Sequence, residues 1–290
     1  MPSKNYKAYF KFCGAENRYS SWEKSRIVIL PVSYDLTASY RPGASSGPGA
    51  IIDASRYMET YDDETRKEIY KQGIYTAEEI RSMDPEPHGI IKKVEKKVCA
   101  ILKAGKFPVV LGGEHSITLG PVRALKKKFK DFSVLQLDAH RDLRDSFQGS
   151  KYSHACIAKR ILELTSLTQV GIRSLSQGEA AKEHKNLKTF FMKDMIKNED
   201  WIEDAICSLD SDKVYVTIDM DVFDPSIMPS VGTPEPGGMG WYETLALLRR
   251  ISQEKKVIGF DVVELSPIAG NVSPDFLAAK LIYKFLSYIF

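Results

Sequence analysis

The sequence predicts an α/β fold with a mostly parallel central sheet covered on both faces. Stretches of strand character alternate with stretches of helical periodicity, and most of the strand-like stretches are short, continuous apolar runs. No clear linker interrupts the 290 residues, so residues 1–290 read as one domain of a length that can bury a single sizeable core.

The elements follow in order. Residues 26–32 form a compact apolar strand that runs into Ser33-Tyr34-Asp35 and then into a long glycine- and proline-rich loop over 40–50. Pro48 stands where the first turn of a helix tolerates it, ahead of 51–57, because an N–H there would lack an intrahelical partner anyway. Residues 62–75 are polar and resist assignment. Ile90, Ile91, Val94, Val98 and Ile101 recur at helical intervals, which predicts an amphipathic helix over 89–104 with Gly105 as its carboxyl cap. Residues 107–111 then read as a buried strand halted by Gly112-Gly113. A helix over 121–129 leads to a strand at 132–137. Helices over 155–164, 201–209, 242–251 and 276–290 flank further strands at 170–172, 214–218 and 257–262.

The formal charge of +3 is small for this length and implies no polyanionic partner. Lysine-rich stretches at 92–97 and 126–130 are interleaved with apolar residues at helical spacing and read as solvated helix faces, without the context of nucleic-acid binding. Cys13, Cys99, Cys156 and Cys207 are widely separated, so neither a zinc knuckle nor a CxxC redox motif is available. Residues 1–13 lack the apolar core of a signal peptide, and no stretch is long enough to span a bilayer. The expectation is a cytoplasmic enzyme or binding protein with neither nucleic-acid nor membrane partners.

Chemistry-bearing residues gather at the ends of the predicted strands. In an extended segment alternate side chains share a face, so Asp138 and His140, with Asp142 a further candidate, project together beyond 132–137. Asp219 and Asp221 repeat the pattern after 214–218, His115 follows 107–111, and Glu264 follows 257–262. Taken singly, each has a plain alternative: a turn residue, a helix cap or a partly buried histidine. Taken together they fall where parallel sheets carry their clefts, and a cluster of acids beside apolar strands is costly without a compensating cation. Two imidazoles and four carboxylates exceed what one transition ion takes, whereas carboxylates can bridge two. This oxygen-rich, cysteine-free set suits manganese better than zinc, magnesium, iron, nickel or cobalt. Two ions about 3.5 to 4 Å apart lower the pKa of a shared water towards neutrality, so hydrolysis is the expected chemistry. Glu264, an additional acid, favours a cationic substrate, and planar guanidinium pairs well with a carboxylate. A phosphate-cradling role for Gly112-Gly113 ranks low, because the Walker spacing is absent.

Three segments carry a family resemblance: Gly112-Gly113-Glu114-His115-Ser116, Asp138-Ala139-His140-Arg141-Asp142, and Ile218-Asp219-Met220-Asp221-Val222-Phe223-Asp224-Pro225 continuing to Gly232-Thr233-Pro234-Glu235-Pro236-Gly237-Gly238. In this order they resemble the ureohydrolase family of arginases and agmatinases, with agmatinases the nearer branch. The resemblance implies a three-layer α/β/α sandwich, a trimeric or hexameric homo-oligomer and a binuclear Mn2+ centre. It implies His115, Asp138, Asp142 and Asp219 as ligands of one ion, and Asp138, His140, Asp219 and Asp221 as ligands of the other. It further implies attack of a bridging hydroxide on a guanidinium carbon, Glu264 as the acid that orients the substrate, His154 as the relay of a proton to the leaving amine, and Thr233 as a substrate contact. Gly149-Ser150-Lys151-Tyr152-Ser153 replaces the Ser-Gly-Asn element with which arginases hold an α-carboxylate, so agmatine fits better than arginine. Arginine, guanidinobutyrate and aminopropylagmatine remain open within the class. A metal-dependent amide deacylase, or a non-catalytic module keeping the fold, are the readings outside it. Two departures from the family pattern are Pro229-Ser230-Val231-Gly232 and the bulky Arg141 between two ligands.

Overall fold

The computed structural model describes residues 10–290, so residues 1–9 of the lead-in lie outside the described residues. Nine strands are present among them: β1 (Ile27–Ser33), β2 (Ile74–Thr76), β3 (Ile80–Arg81), β4 (Phe107–Leu111), β5 (Ser133–Leu137), β6 (Ser166–Ile172), β7 (Leu187–Phe191), β8 (Lys213–Asp219) and β9 (Lys256–Val263). They form one sheet in the order β2-β1-β4-β9-β8-β5-β6-β7, with β3 beside the end of β1, and every pairing is parallel. Seven described helices of six residues or more accompany it: α1 (Gly47–Ser55), α2 (His88–Lys103), α3 (Leu119–Lys128), α4 (Ile157–Leu162), α5 (Trp201–Cys207), α6 (Trp241–Glu254) and α7 (Ser273–Ile289).

The continuous apolar runs have a direct cause. Ile27, Ile29, Val109, Leu111, Leu135, Leu137, Val216 and Ile218 pack on one face with α1, α5, α6 and α7, while Val28, Leu30, Val110, Val134 and Tyr215 pack on the other with α2, α3 and α4. Both alternating sets are therefore buried. Each such side chain contributes roughly 1.5 to 3 kcal/mol, so a polar residue on either face would forfeit that. The result is the expected α/β/α sandwich.

The expected helices and central strands are present with shifted ends. The helix expected at 51–57 starts at Gly47, with Pro48 in its first turn, and the last helix starts at Ser273 with Pro274 in its first turn. Strands β2, β3 and β7 were not expected. β2 and β7 lie at the two edges of the sheet and β3 is two residues long, so none needs a long apolar run; β7 keeps Lys188 exposed.

Candidate metal centre and cleft

β4, β9, β8 and β5 are consecutive neighbours in the sheet, although far apart in the chain. Their carboxyl ends bring His115, Glu264, the Asp219–Asp221 turn and the Asp138–Asp142 segment onto one rim. Close packing there explains Gly113, where a Cβ would fall 2.0 Å from the Tyr34 carbonyl oxygen. The amides of Gly112 and Glu114 are already bonded to Val262 O and Tyr34 O, at 2.8 and 2.7 Å, so this glycine pair serves close packing rather than phosphate.

The structure brings all six expected ligands together. His115 Nδ1 lies 3.1 Å from Asp138 Oδ2, 3.1 Å from Asp219 Oδ2 and 3.5 Å from Asp142 Oδ2. His140 Nδ1 lies 2.8 Å from Asp221 Oδ2 and 3.8 Å from Asp138 Oδ1. Ligand atoms of His115, Asp138 and Asp219 fall within 4.8 Å of one another, as do those of Asp138, His140 and Asp221, so Asp138 belongs to both groups. Hydrogen bonds aim the carboxylates: Asp138 accepts from Gln136 Nε2 and the His140 amide, both at 2.6 Å, Asp221 from the Ala139 amide at 3.0 Å, and Asp219 from the Asp221 amide at 2.9 Å.

The donor set fits a divalent cation. His115 Nδ1 is buried without a properly directed hydrogen bond even though three carboxylates crowd it. Burial, reinforced by Asp221 and Asp142, lifts the Asp138 carboxyl to about 7 and raises Asp219 as well. Burial would depress His140, yet Asp221 and Asp138 raise it to about 11; burial would raise Asp221, yet His140 holds it at about 2. So many acids crave positive charge, which protons supply poorly and metal ions well. Asp142 and Glu264 also hold left-handed backbones, with φ of 49° and 66°, a conformation costing non-glycine residues about 1 to 3 kcal/mol and concentrated at functional sites.

A cleft of about 330 Å³ opens over this cluster, lined by His140, Asp142, Asp219, Asp221, Glu264, His154 and Thr233, with Tyr40, Arg41, Arg144 and Phe147 further out. Glu264 Oε1 accepts from the His115 amide at 2.6 Å, and burial together with Glu114 raises its carboxyl to about 8. Burial lowers the pKa of His154. Val231 bridges Leu265 and the Ser266 amide donates to Ser230 O at 2.8 Å, which ties the 229–232 segment to the chain that follows Glu264. Arg141 points away from the cluster and bonds the carbonyls of Glu179 and, at 3.1 Å, Lys182, so its bulk does not enter the cleft.

Sequence reasoning missed the supports. Arg173 donates to the carbonyls of Gly171, Asp221, Val222, Phe223, Glu235 and Pro236, clasping the turn that carries Asp221. Gln136 and Thr217, polar residues inside buried strands, were the signals available for the groups behind Asp138 and His115. Glu114 stood in a quoted motif without a role.

A parallel sheet whose adjacent strand ends hold a dense carboxylate–imidazole cluster defines an α/β/α protein equipped to hold metal ions. The chain belongs to the arginase family: residues 25–287 match the family model described as "Arginase family". It is accordingly a ureohydrolase, acting on a guanidino C–N bond. It is 43% identical over 277 residues to the N(1)-aminopropylagmatine ureohydrolase of Synechocystis sp., covering 93% of this chain and 90% of that one. It is 37% identical to the agmatinase of Pyrococcus horikoshii, covering 88% and 89%. The crystal structure of agmatine ureohydrolase of Thermoplasma volcanium superposes with a TM-score of 0.88 at 35% identity, over 97% of this chain and 94% of that one. Among the described residues no helix is long and apolar enough to cross a membrane.

Proposed function

We propose that the chain hydrolyses the guanidinium of agmatine, or of agmatine extended by an aminopropyl arm, to urea and the corresponding polyamine at a binuclear manganese centre. The observation that carries this reading is the pair of ligand groups sharing Asp138, open to a cleft that also presents Glu264 and His154. His115, Asp138, Asp142 and Asp219 would hold one ion, and Asp138, His140, Asp219 and Asp221 the other, with Asp138 and Asp219 common to both. When bound, such ions supply a water acidified towards neutral pH.

The chain's own residues do the rest. Glu264 pairs with the guanidinium and orients its carbon towards the cluster. His154 carries a proton to the leaving amine, a role suited to imidazole. Thr233, which lines the same cleft as Glu264, fixes the guanidinium end. Ser150 gives its hydroxyl proton to Glu86 Oε1 at 3.0 Å and is not among the residues lining the cleft, which favours an amine-tailed substrate over arginine. The aminopropyl reading draws support from the printed names of relatives at 43% and 41% identity. Urea release from agmatine, aminopropylagmatine, arginine and guanidinobutyrate with added Mn2+, alongside amine release from acetylated polyamines, tests the reading. One of the first two guanidines should be turned over best; a clear preference for arginine, or for the acetylated amines, would sink it.

A further inference from the structure

We propose that Thr37 and Glu114 position His154, fixing its neutral imidazole as the Nδ1–H tautomer and aiming Nε2 into the cleft. The inference deepens the function proposed above and rests on its proton-relay reading of His154. Glu114 is fully buried and accepts three hydrogen bonds: from the Thr37 amide at 2.7 Å, from the Thr37 hydroxyl at 2.7 Å and from the Ser116 hydroxyl at 2.5 Å. A hydroxyl has one proton to give. With Glu114 ionised, Thr37 gives it to that carboxylate, so towards His154 Nδ1, 3.1 Å away, its oxygen accepts. Nδ1–H is then the tautomer that Thr37 selects in the neutral ring, against a Ser153 hydroxyl that can also donate to Nδ1. The same oxygen also receives the His154 amide at 3.3 Å, and Ser153 Oγ lies 3.3 Å from Nδ1 as a second neighbour.

Nε2 is left without a hydrogen-bond partner among the described residues, on a ring that lines the cleft. Phe147 packs edge-on against that ring with centroids 6.0 Å apart, which limits its rotation. The basic lone pair therefore faces the substrate. When Nε2 takes up a proton, Nδ1–H stays bonded to Thr37, whose dipole is backed by the Glu114 carboxylate, so the imidazolium forms without a rearrangement. Neither Thr37 nor Glu114 lines the cleft. Both are positioning residues, comparable in logic to the carboxylate that holds a catalytic histidine in its working tautomer. The plainer alternative is that Glu114 only staples the loop bearing Thr37 to the end of β4.

The test compares Thr37→Val, which keeps the shape and loses the hydroxyl, with Thr37→Ser, which restores it, and uses His154→Asn as reference. The full chain is assayed with Mn2+ for kcat, KM and bound metal. The histidine tautomers are read by 15N NMR in protein loaded with diamagnetic Mg2+. The expected result is a kcat lower by roughly 10- to 100-fold in Thr37→Val, with KM and metal content little changed, recovery in Thr37→Ser, and an Nδ1–H signature for His154 that Thr37→Val abolishes. Thr37→Val with wild-type kcat and tautomer would overturn the proposal. So would a loss of metal and thermal stability in parallel with kcat, since that marks a staple. Full turnover in His154→Asn would overturn the relay reading and this inference with it; inactivity of His154→Asn beside a fully active Thr37→Val would overturn the inference alone.

Discussion

Nε2 of His115 lies 2.9 Å from the hydroxyl of Thr217, and that hydroxyl gives its own proton to Asp261 at 2.5 Å. His115 is therefore the donor to Thr217, which leaves the Nδ1 lone pair facing the carboxylate cluster. A histidine whose far nitrogen is held in this way is a better metal ligand, and removing such a support typically costs 10- to 100-fold in metal affinity. Thr217→Val should weaken manganese binding by about that factor while leaving near-normal kcat at saturating metal. A Mn2+ titration followed by both activity and metal content checks it; unchanged affinity would discount the Thr217 contact.

Asp138 and Glu264 should fail differently. Asp138→Asn removes a carboxylate assigned to both ions and should abolish turnover with loss of at least one ion per chain. Glu264→Gln keeps an oxygen for the His115 amide, so metal content should hold while kcat/KM for the guanidine falls roughly 10- to 100-fold, the weight of a hydrogen bond to a charged group. Elemental analysis beside the urea assay separates the two, and full activity in either variant would overturn the corresponding assignment.

Arg173 bonds six backbone carbonyls around the turn bearing Asp221. Lysine has no planar fork and cannot reach them all. Arg173→Lys should lower unfolding stability by at least about 2 kcal/mol and reduce bound metal, as read by urea denaturation and metal analysis. A variant as stable as the wild type would show that the clasp is redundant.

Lys284 on α7 faces Asp62, Asp63 and Glu64 at 3.1, 3.3 and 3.2 Å, with Asp62 fully buried. Burial would raise the Asp62 carboxyl, but the Thr65 amide and Lys284 outweigh it and leave it lowered. A lowered carboxylate stabilises the fold above its unfolded pKa of about 4 and ceases to do so as the pH falls through the folded value. Burial would lower Lys284, yet its acidic neighbours raise it, so its share persists at neutral pH and is lost only in strong alkali. Lys284→Met leaves Asp62 unpaired and should cost about 3 kcal/mol at pH 7, a deficit that shrinks below about pH 4 as Asp62 becomes neutral. Urea midpoints across pH measure this, and a deficit independent of pH would point to lost packing instead.

The buried centre of the sheet was readable because both faces of β1, β4, β5, β8 and β9 are covered, which writes five mostly apolar runs into the sequence. Edge strands leave no such mark: β7 has only half-buried residues beside exposed Lys188, and β3 is too short to show a pattern. The ligand residues were legible because each stands just beyond a strong strand. Their supports were not, since Thr37 reaches Glu114 across 77 positions and Arg173 reaches Glu235 across 62, distances that no local spacing encodes. Arg141 misled in the opposite sense: a bulky cation between two ligands reads as an intrusion until its fork is seen to turn towards Glu179 and Lys182.

The strand order carries a consequence for biogenesis. The rim of β4, β9, β8 and β5 unites the first half of the chain with its final forty residues, and the His115 amide meets Glu264 across 149 positions. All six ligands precede β9 in the chain, yet β9 lies between the strand that carries His115 and those that carry the aspartates, so the cluster cannot close until β9 is in place. Because binding energy at a site absent from the unfolded chain becomes folding energy, ion capture should come last and act as a latch on the finished sheet.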